Sequence, residues 1–206
     1  YALGILYITR EAYQEAIDTL DAGIALAQAN AQANAESDPD TGDTTDAIAQ
    51  DTAGQNDPES PIVPADIYAS RASAHYALGD RESAIDDWTR TLDIDPERAD
   101  IYQNRGLAHL ELGELEEAIA DFDEALLRDE DNVIVYQNRG LAYFQQGEFE
   151  DAIEDFTSVI EREEDNISAY IARGTAYQEL DENENAIADY DVVIEENPTA
   201  DSIIYQ

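Results

Sequence analysis

The sequence predicts an all-α protein, an α-solenoid of stacked helical hairpins. Three observations lead there: a 34-residue period, apolar residues at helical spacing in both halves of that period, and a short acidic turn between the halves. The segment YQNRGLA occurs at 102–108 and again at 136–142, and phasing the chain on it gives four units, 65–98, 99–132, 133–166 and 167–200.

In each unit the first helix is marked by position 4 (Tyr68, Tyr102, Tyr136, Tyr170) and by a small residue at position 8 (Ala72, Gly106, Gly140, Gly174). The second helix is marked by Ala84, Ala118, Ala152 and Ala186 at position 20 and by an aromatic at position 24 (Trp88, Phe122, Phe156, Tyr190). Apolar residues recur at 4-8-11 and again at 20-24-27/28, the spacing of two amphipathic helices. Between them stands glycine followed by an acid at Gly79, Gly113 and Gly147, a turn signal, with Asp181 in that place in the last unit. The small residues at 8 and 20 let the two helices approach closely. One such hairpin cannot bury its apolar face alone, so neighbours must stack.

These residues resemble the tetratricopeptide repeat, and the resemblance covers residues 65–200 without a gap. Pro96 and Pro198 match that family's proline at position 32, where Glu130 and Glu164 stand in the middle units. The resemblance implies a right-handed superhelix whose first helices line a concave groove. It extends to both ends. Residues 1–36 read as a partial unit, with Gly4, Tyr7, Ala16 and Leu20 at positions 8, 11, 20 and 24 and a second helix extended to about Glu36. Residues 201–206 open a further unit, so the chain reads as a piece of a longer array.

Residues 37–64 break the pattern. They are acidic, hold Pro39, Pro58, Pro61 and Pro64, and lack the apolar content that offsets ordering entropy, so a disordered insertion is expected. Asp38, Asp40, Asp43 and Asp46 are spaced like calcium ligands. However, the loop glycine falls at the fifth place (Gly42) and Ala49 occupies the twelfth, where an EF-hand needs glycine at the sixth and a bidentate glutamate at the twelfth. A solvated acidic linker fits better, and no metal or other cofactor is assigned.

Acids outnumber bases 49 to 10, for a net charge of −39, and every base is arginine. Phosphate recognition needs clustered cations, so nucleic acid and anionic membrane surfaces are excluded as partners. The acidity fits either a surface adapted to concentrated salt or one that attracts a basic partner. With no cysteine there is no disulfide framework or thiolate chemistry. No apolar run reaches the ~18 residues of a membrane span. The sequence leaves compartment and oligomeric state open.

The arginines are placed regularly. Position 7 holds Arg71, Arg105, Arg139 and Arg173, and position 23 holds Asp87, Asp121, Asp155 and Asp189. In an antiparallel hairpin these two positions lie level to within about one residue, ~1.5 Å of rise. A guanidinium fork suits a bidentate carboxylate, so four structural ion pairs are expected.

By the resemblance, positions 2, 5, 6, 9, 12 and 13 face the groove. The candidate peptide-binding residues are Tyr76; Gln103, Asn104, Leu107 and Leu110; Gln137, Asn138, Leu141 and Phe144; and Ile171, Thr175 and Gln178. Side-chain amides donate and accept, which suits the main chain of an extended peptide. The family's clamp for an acidic peptide tail needs lysine or arginine on this face, and none is present. His75 and His109 occupy the packing position that Tyr143 and Tyr177 fill later, and no catalytic motif appears. The resulting expectation is a non-enzymatic protein-interaction scaffold binding a peptide with apolar anchors and basic flanks. Its alternatives are a substrate-recruiting segment of a larger enzyme or signalling protein, and a structural spacer.

Overall fold

The computed structural model describes residues 2–37 and 64–196, with side chains at 10–30 and 64–196. The described residues form nine helices: α1 (Ala2–Ser37), α2 (Ala65–Leu78), α3 (Arg81–Ile94), α4 (Ala99–Leu112), α5 (Leu115–Arg128), α6 (Val133–Gln146), α7 (Phe149–Arg162), α8 (Ile167–Glu179) and α9 (Asn183–Glu196). They fall into two compact units, Tyr1–Ile94 and Asp95–Gln206. The expected insertion and calcium-like loop lie outside the described residues, as do residues 201–206.

The second unit holds three hairpins, α4–α5, α6–α7 and α8–α9, with α5 packed on α6 and α7 on α8. Each hairpin closes on an aromatic ring that abuts the small residue at position 8. A Cβ added at Gly140 would sit 2.9 Å from Phe156 Cε1, and one added at Gly106 would sit 2.9 Å from Phe122 Cε1. Hydrogen there is what permits the helices their separation. Neighbouring hairpins share cores: Phe122, Ala125 and Leu126 of α5 meet Val135 of α6, and Val159 and Ile160 of α7 meet Ala169 of α8.

The turns within hairpins follow one geometry. Gly113 and Gly147 stand at φ +78° and +85°, and the N–H groups after them return to the preceding helix (Glu114 to the His109 carbonyl, 2.9 Å; Glu148 to that of Tyr143, 2.9 Å). Asp181 adopts the same left-handed backbone at φ +59°, and the Glu182 N–H reaches the Tyr177 carbonyl at 2.8 Å. The missing glycine changes the strain of this turn but not its path. Between hairpins, where proline is absent, Asn132 and Asn166 cap α6 and α8 by accepting from the N–H groups of Val135 and Ala169 at 3.3 and 3.1 Å.

In the first unit, α2 and α3 form the hairpin, with Ala72 and Trp88 in the places of the glycine and phenylalanine, and α1 packs on α2. Here one expectation is corrected. Residues 1–36 were expected to contain the end of a first helix, a turn and a second helix, but Ala2–Ser37 is a single helix. The place of Gly79 is taken by Glu11 within TREAYQEA, a run of good helix formers with nothing to favour a left-handed residue. Only its second half, from Ile17 to Ala27, plays the part of a repeat's second helix against α2.

The strained turn gives a test. Replacing Asp181 by glycine relieves the left-handed penalty and should raise stability by about 0.5–1 kcal/mol in urea unfolding. Unchanged or lower stability would contradict this account of the turn.

Candidate interaction face

The arginine at position 7 projects from the middle of each first helix to the second helix of its own hairpin. Arg105 reaches Asp121 through Nε at 2.8 Å and Nη2 at 2.6 Å, Arg139 reaches Asp155 at 2.9 and 2.7 Å, and Arg173 reaches Asp189 at 2.9 and 2.7 Å. In the first unit Arg71 holds Asp87 at 2.6 and 2.6 Å. All four aspartates are buried. At Arg139, burial works against the charge, but Asp155 and Asp123 outweigh it and hold the guanidinium more firmly protonated than an ordinary arginine. Burial also pushes the Asp155 carboxyl up, against the pull of Arg139.

Sequence reasoning missed the third donor. Nη1 of Arg139 donates to Asp123 on α5, Nη1 of Arg173 to Thr157 Oγ1 on α7 at 3.0 Å, and Nη1 of Arg71 to Asp21 on α1 at 2.5 Å. Each acceptor stands at position 25 of the repeat before. The signal was present in the sequence, since that position carries a side-chain oxygen at Asp21, Thr89, Asp123, Thr157 and Asp191. Each of these three arginines therefore ties three helices together.

The other arginines of the second unit are also engaged. Arg128 donates to the Pro96 carbonyl at 2.8 Å and lies over the Tyr102 ring, Arg162 donates to the Glu130 carbonyl at 3.1 Å and lies over Tyr136, and Arg98 grips Asp100. His109 Nδ1 sits 2.6 Å from Glu114 Oε2 and His75 Nδ1 sits 3.3 Å from Asp80, each spanning its own turn. Among the described residues no group of three or more His, Asp or Glu is arranged to hold a metal, and no helix is long and apolar enough to cross a membrane.

The candidate groove residues divide into two sets. Several are engaged within the fold: Gln103 accepts from the Asn132 amide at 3.0 Å, Gln178 accepts from the Tyr190 hydroxyl at 2.7 Å, and Thr175 lies 3.3 Å from that hydroxyl. Phe144 stacks edge-on against Phe149 at 5.2 Å, Leu110 packs on the α5–α6 core, and Tyr76, in the other unit, packs against Trp88 and under Arg81. The second set is available. Asn104, Leu107, Gln137 and Asn138 are half-buried, and the three amides make no hydrogen bond among the described residues. Beside them Ile134, Leu141 and Ile171 are 59%, 37% and 41% exposed.

Three family profiles, each described as tetratricopeptide repeat, match residues 70–132, 133–166 and 167–199. The chain belongs to the tetratricopeptide-repeat family. A crystal structure of MamA superposes on 96% of this chain and 97% of its own at TM-score 0.65 and 18% identity, a likeness of fold. The first tetratricopeptide-repeat domain of Spaghetti (RPAP3), bound to an HSP90 peptide SRMEEVD, is 27% identical, with TM-score 0.54 over 56% of this chain and 92% of that one. The corresponding domain of Arabidopsis OM64 is 26% identical, with TM-score 0.53 over 55% and 94%. No curated protein sequence matches significantly.

The clasp is testable by a cycle. Arg139→Leu or Asp155→Leu strands a buried charge and should cost about 3–5 kcal/mol, while the double change should cost less than either. Asp123, with its side chain 53% exposed, contributes a screened arm, so Asp123→Ala should cost below about 1 kcal/mol. Additive losses at Arg139 and Asp155 in urea unfolding would contradict the pairing.

Proposed function

We propose that this tetratricopeptide-repeat chain is a protein-interaction scaffold that holds an extended peptide with aliphatic or aromatic anchors and basic flanks on the α4, α6 and α8 face of its second unit. One observation carries this reading: that face combines amides free to pair with a peptide main chain (Asn104, Gln137, Asn138) with exposed aliphatic side chains (Ile134, Leu141, Ile171). An exposed apolar patch bordered by polar groups is the usual mark of an interaction surface.

The preference for a basic partner rests on charge. All six arginines of the second unit already hold a carboxylate or a main-chain carbonyl. An acidic tail such as the peptide seen on Spaghetti would find no uncommitted cation here, whereas lysine or arginine flanks would meet a chain of net charge −39.

A displayed-peptide selection against the full chain tests the proposal. It should return sequences with two apolar anchors and neighbouring lysine or arginine, and binding should weaken about tenfold or more in Asn138→Ala and in Ile171→Ser, a loss of about 1.4 kcal/mol. Enrichment of acidic tails, or binding indifferent to both changes, would refute it; a spacer would select nothing.

A further inference from the structure

One turn of this chain seats a cation on an aromatic ring, and a second turn of the same shape offers rings without the cation. In the first unit, Arg81 at position 17 folds back over the ring of Tyr76 at position 12, with Cζ 4.0 Å from the ring centroid, and its Nη1 donates to the Tyr76 carbonyl at 2.5 Å. That carbonyl lies at the end of α2, where the helix dipole favours positive charge. The α6–α7 turn repeats this backbone. Gly79 and Gly147 stand at φ +90° and +85°, and their N–H groups donate to the position-12 carbonyls, Tyr76 at 3.0 Å and Phe144 at 3.1 Å. Position 12 is again aromatic in Phe144, but Phe149 takes the place of the arginine at position 17. The two rings meet at 5.2 Å and both are half-buried. No basic residue stands in the last turn of α6, and no arginine among the described residues lies over either ring. The α4–α5 turn carries Leu110 and Leu115 at these places and the α8–α9 turn Gln178 and Asn183, so neither offers a ring.

We infer that the Phe144–Phe149 pair at the end of α6 is a seat for an arginine side chain of the bound peptide. This rests on the peptide-binding reading of the α4, α6 and α8 face and adds the place where the basic flank is held. Arg81 defines the chemistry of the occupant: a flat guanidinium stacked on a ring, with one N–H donating to a helix-end carbonyl. A ring face attracts a cation, and a guanidinium suits it better than an ammonium because it is planar and less strongly hydrated. The Phe144 carbonyl supplies the acceptor that the Tyr76 carbonyl supplies to Arg81. Exposed Glu148 and Glu150 flank Phe149 in sequence, and Gln146 donates to Glu116 at 3.5 Å, which brings an exposed carboxylate of the preceding hairpin to the same end. These acids favour a cation over a neutral side chain, while the rings and the carbonyl select its shape. Phe144 stands three residues beyond Leu141 and six beyond Asn138, ~9 Å of helix rise from the latter. A peptide whose apolar anchor covers Leu141 has this seat beside it for a neighbouring arginine.

The chain has four phenylalanines, of which Phe122 and Phe156 are buried, so fluorine NMR of the full chain labelled with fluorophenylalanine reads the seat and a fold control together. The probe is Nα-acetyl-arginine amide, titrated in about 0.5 M KCl to screen general attraction to the acidic surface. It should shift the Phe144 and Phe149 signals saturably, with half-effect in the millimolar range, and leave those of Phe122 and Phe156 in place. The neutral citrulline amide should give less than about a tenth of that response, and the lysine amide should bind at least about threefold more weakly. Phe149→Arg rebuilds the Tyr76–Arg81 arrangement and should abolish the response at Phe144, while Phe144→Leu should weaken binding read at Phe149 about tenfold. Equal responses to the citrulline or lysine amide, undiminished binding in both variants, or no shift by about 100 mM would overturn the inference. Asn138→Ala, on the peptide face, should leave the response to the arginine amide unchanged. A chain that answers the arginine amide but holds no selected peptide would refute the peptide face and not the seat. A selected peptide that loses nothing when its arginine becomes citrulline would refute the seat and not the face.

Discussion

The geometry of the guanidinium group sets the terms for the rest of this structure. Nε and Nη2 lie on one edge of a rigid plane and match a carboxylate, while Nη1 points away from that edge. At position 7 the first pair is spent on the hairpin's own aspartate, and in α2, α6 and α8 the third donor reaches the helix before. A buried carboxylate is tolerated only because the fork satisfies it, and the fork fits only when the two helices are level. The arginine thus fixes the register within a hairpin and the seating between hairpins together. The tyrosine three residues earlier supports it: the Tyr136 ring lies 5.6 Å from Arg139 and 4.7 Å from Arg162, and the Tyr102 ring lies 5.7 Å from Arg105 and 4.5 Å from Arg128.

The same arrangement shapes the surface. With its arginines drawn into the seams, the second unit presents carboxylates, amides and aliphatic side chains outward. Charges exposed to solvent are screened within about 10 Å at ordinary ionic strength, whereas the buried aspartates are shielded by protein and not by salt. The acid excess therefore acts on partners and solvent, and the ion pairs that hold the hairpins are largely insulated from it.

Much of this was legible in the sequence because the repeat states each position four times. The hairpins, the arginine–aspartate pairing and the small-to-aromatic contact could be read from residues that recur at fixed places. The first helix could not. Apolar spacing around Gly4, Tyr7 and Ala16 suits a hairpin and a continuous helix equally, and Glu11 in place of a turn glycine decided the matter locally. The face of α4, α6 and α8 was half legible. Position numbers identify what points outward, but not that Asn132 binds Gln103, that Tyr190 binds Gln178, or that Phe149 meets Phe144. Those partners come from neighbouring elements, and only packing brings them together. The third arm of the arginine was overlooked for a related reason: its acceptor lies one repeat away, 16 residues before the arginine in α6 and α8.

The most direct test keeps the charge and removes the fork. Arg139→Lys places an ammonium near Asp155 and Asp123 but cannot reach both with bidentate geometry, so urea unfolding should show a loss of at least about 2 kcal/mol. Stability within about 0.5 kcal/mol of the parent would mean that charge alone suffices, and would contradict a fold organised around the shape of the arginine.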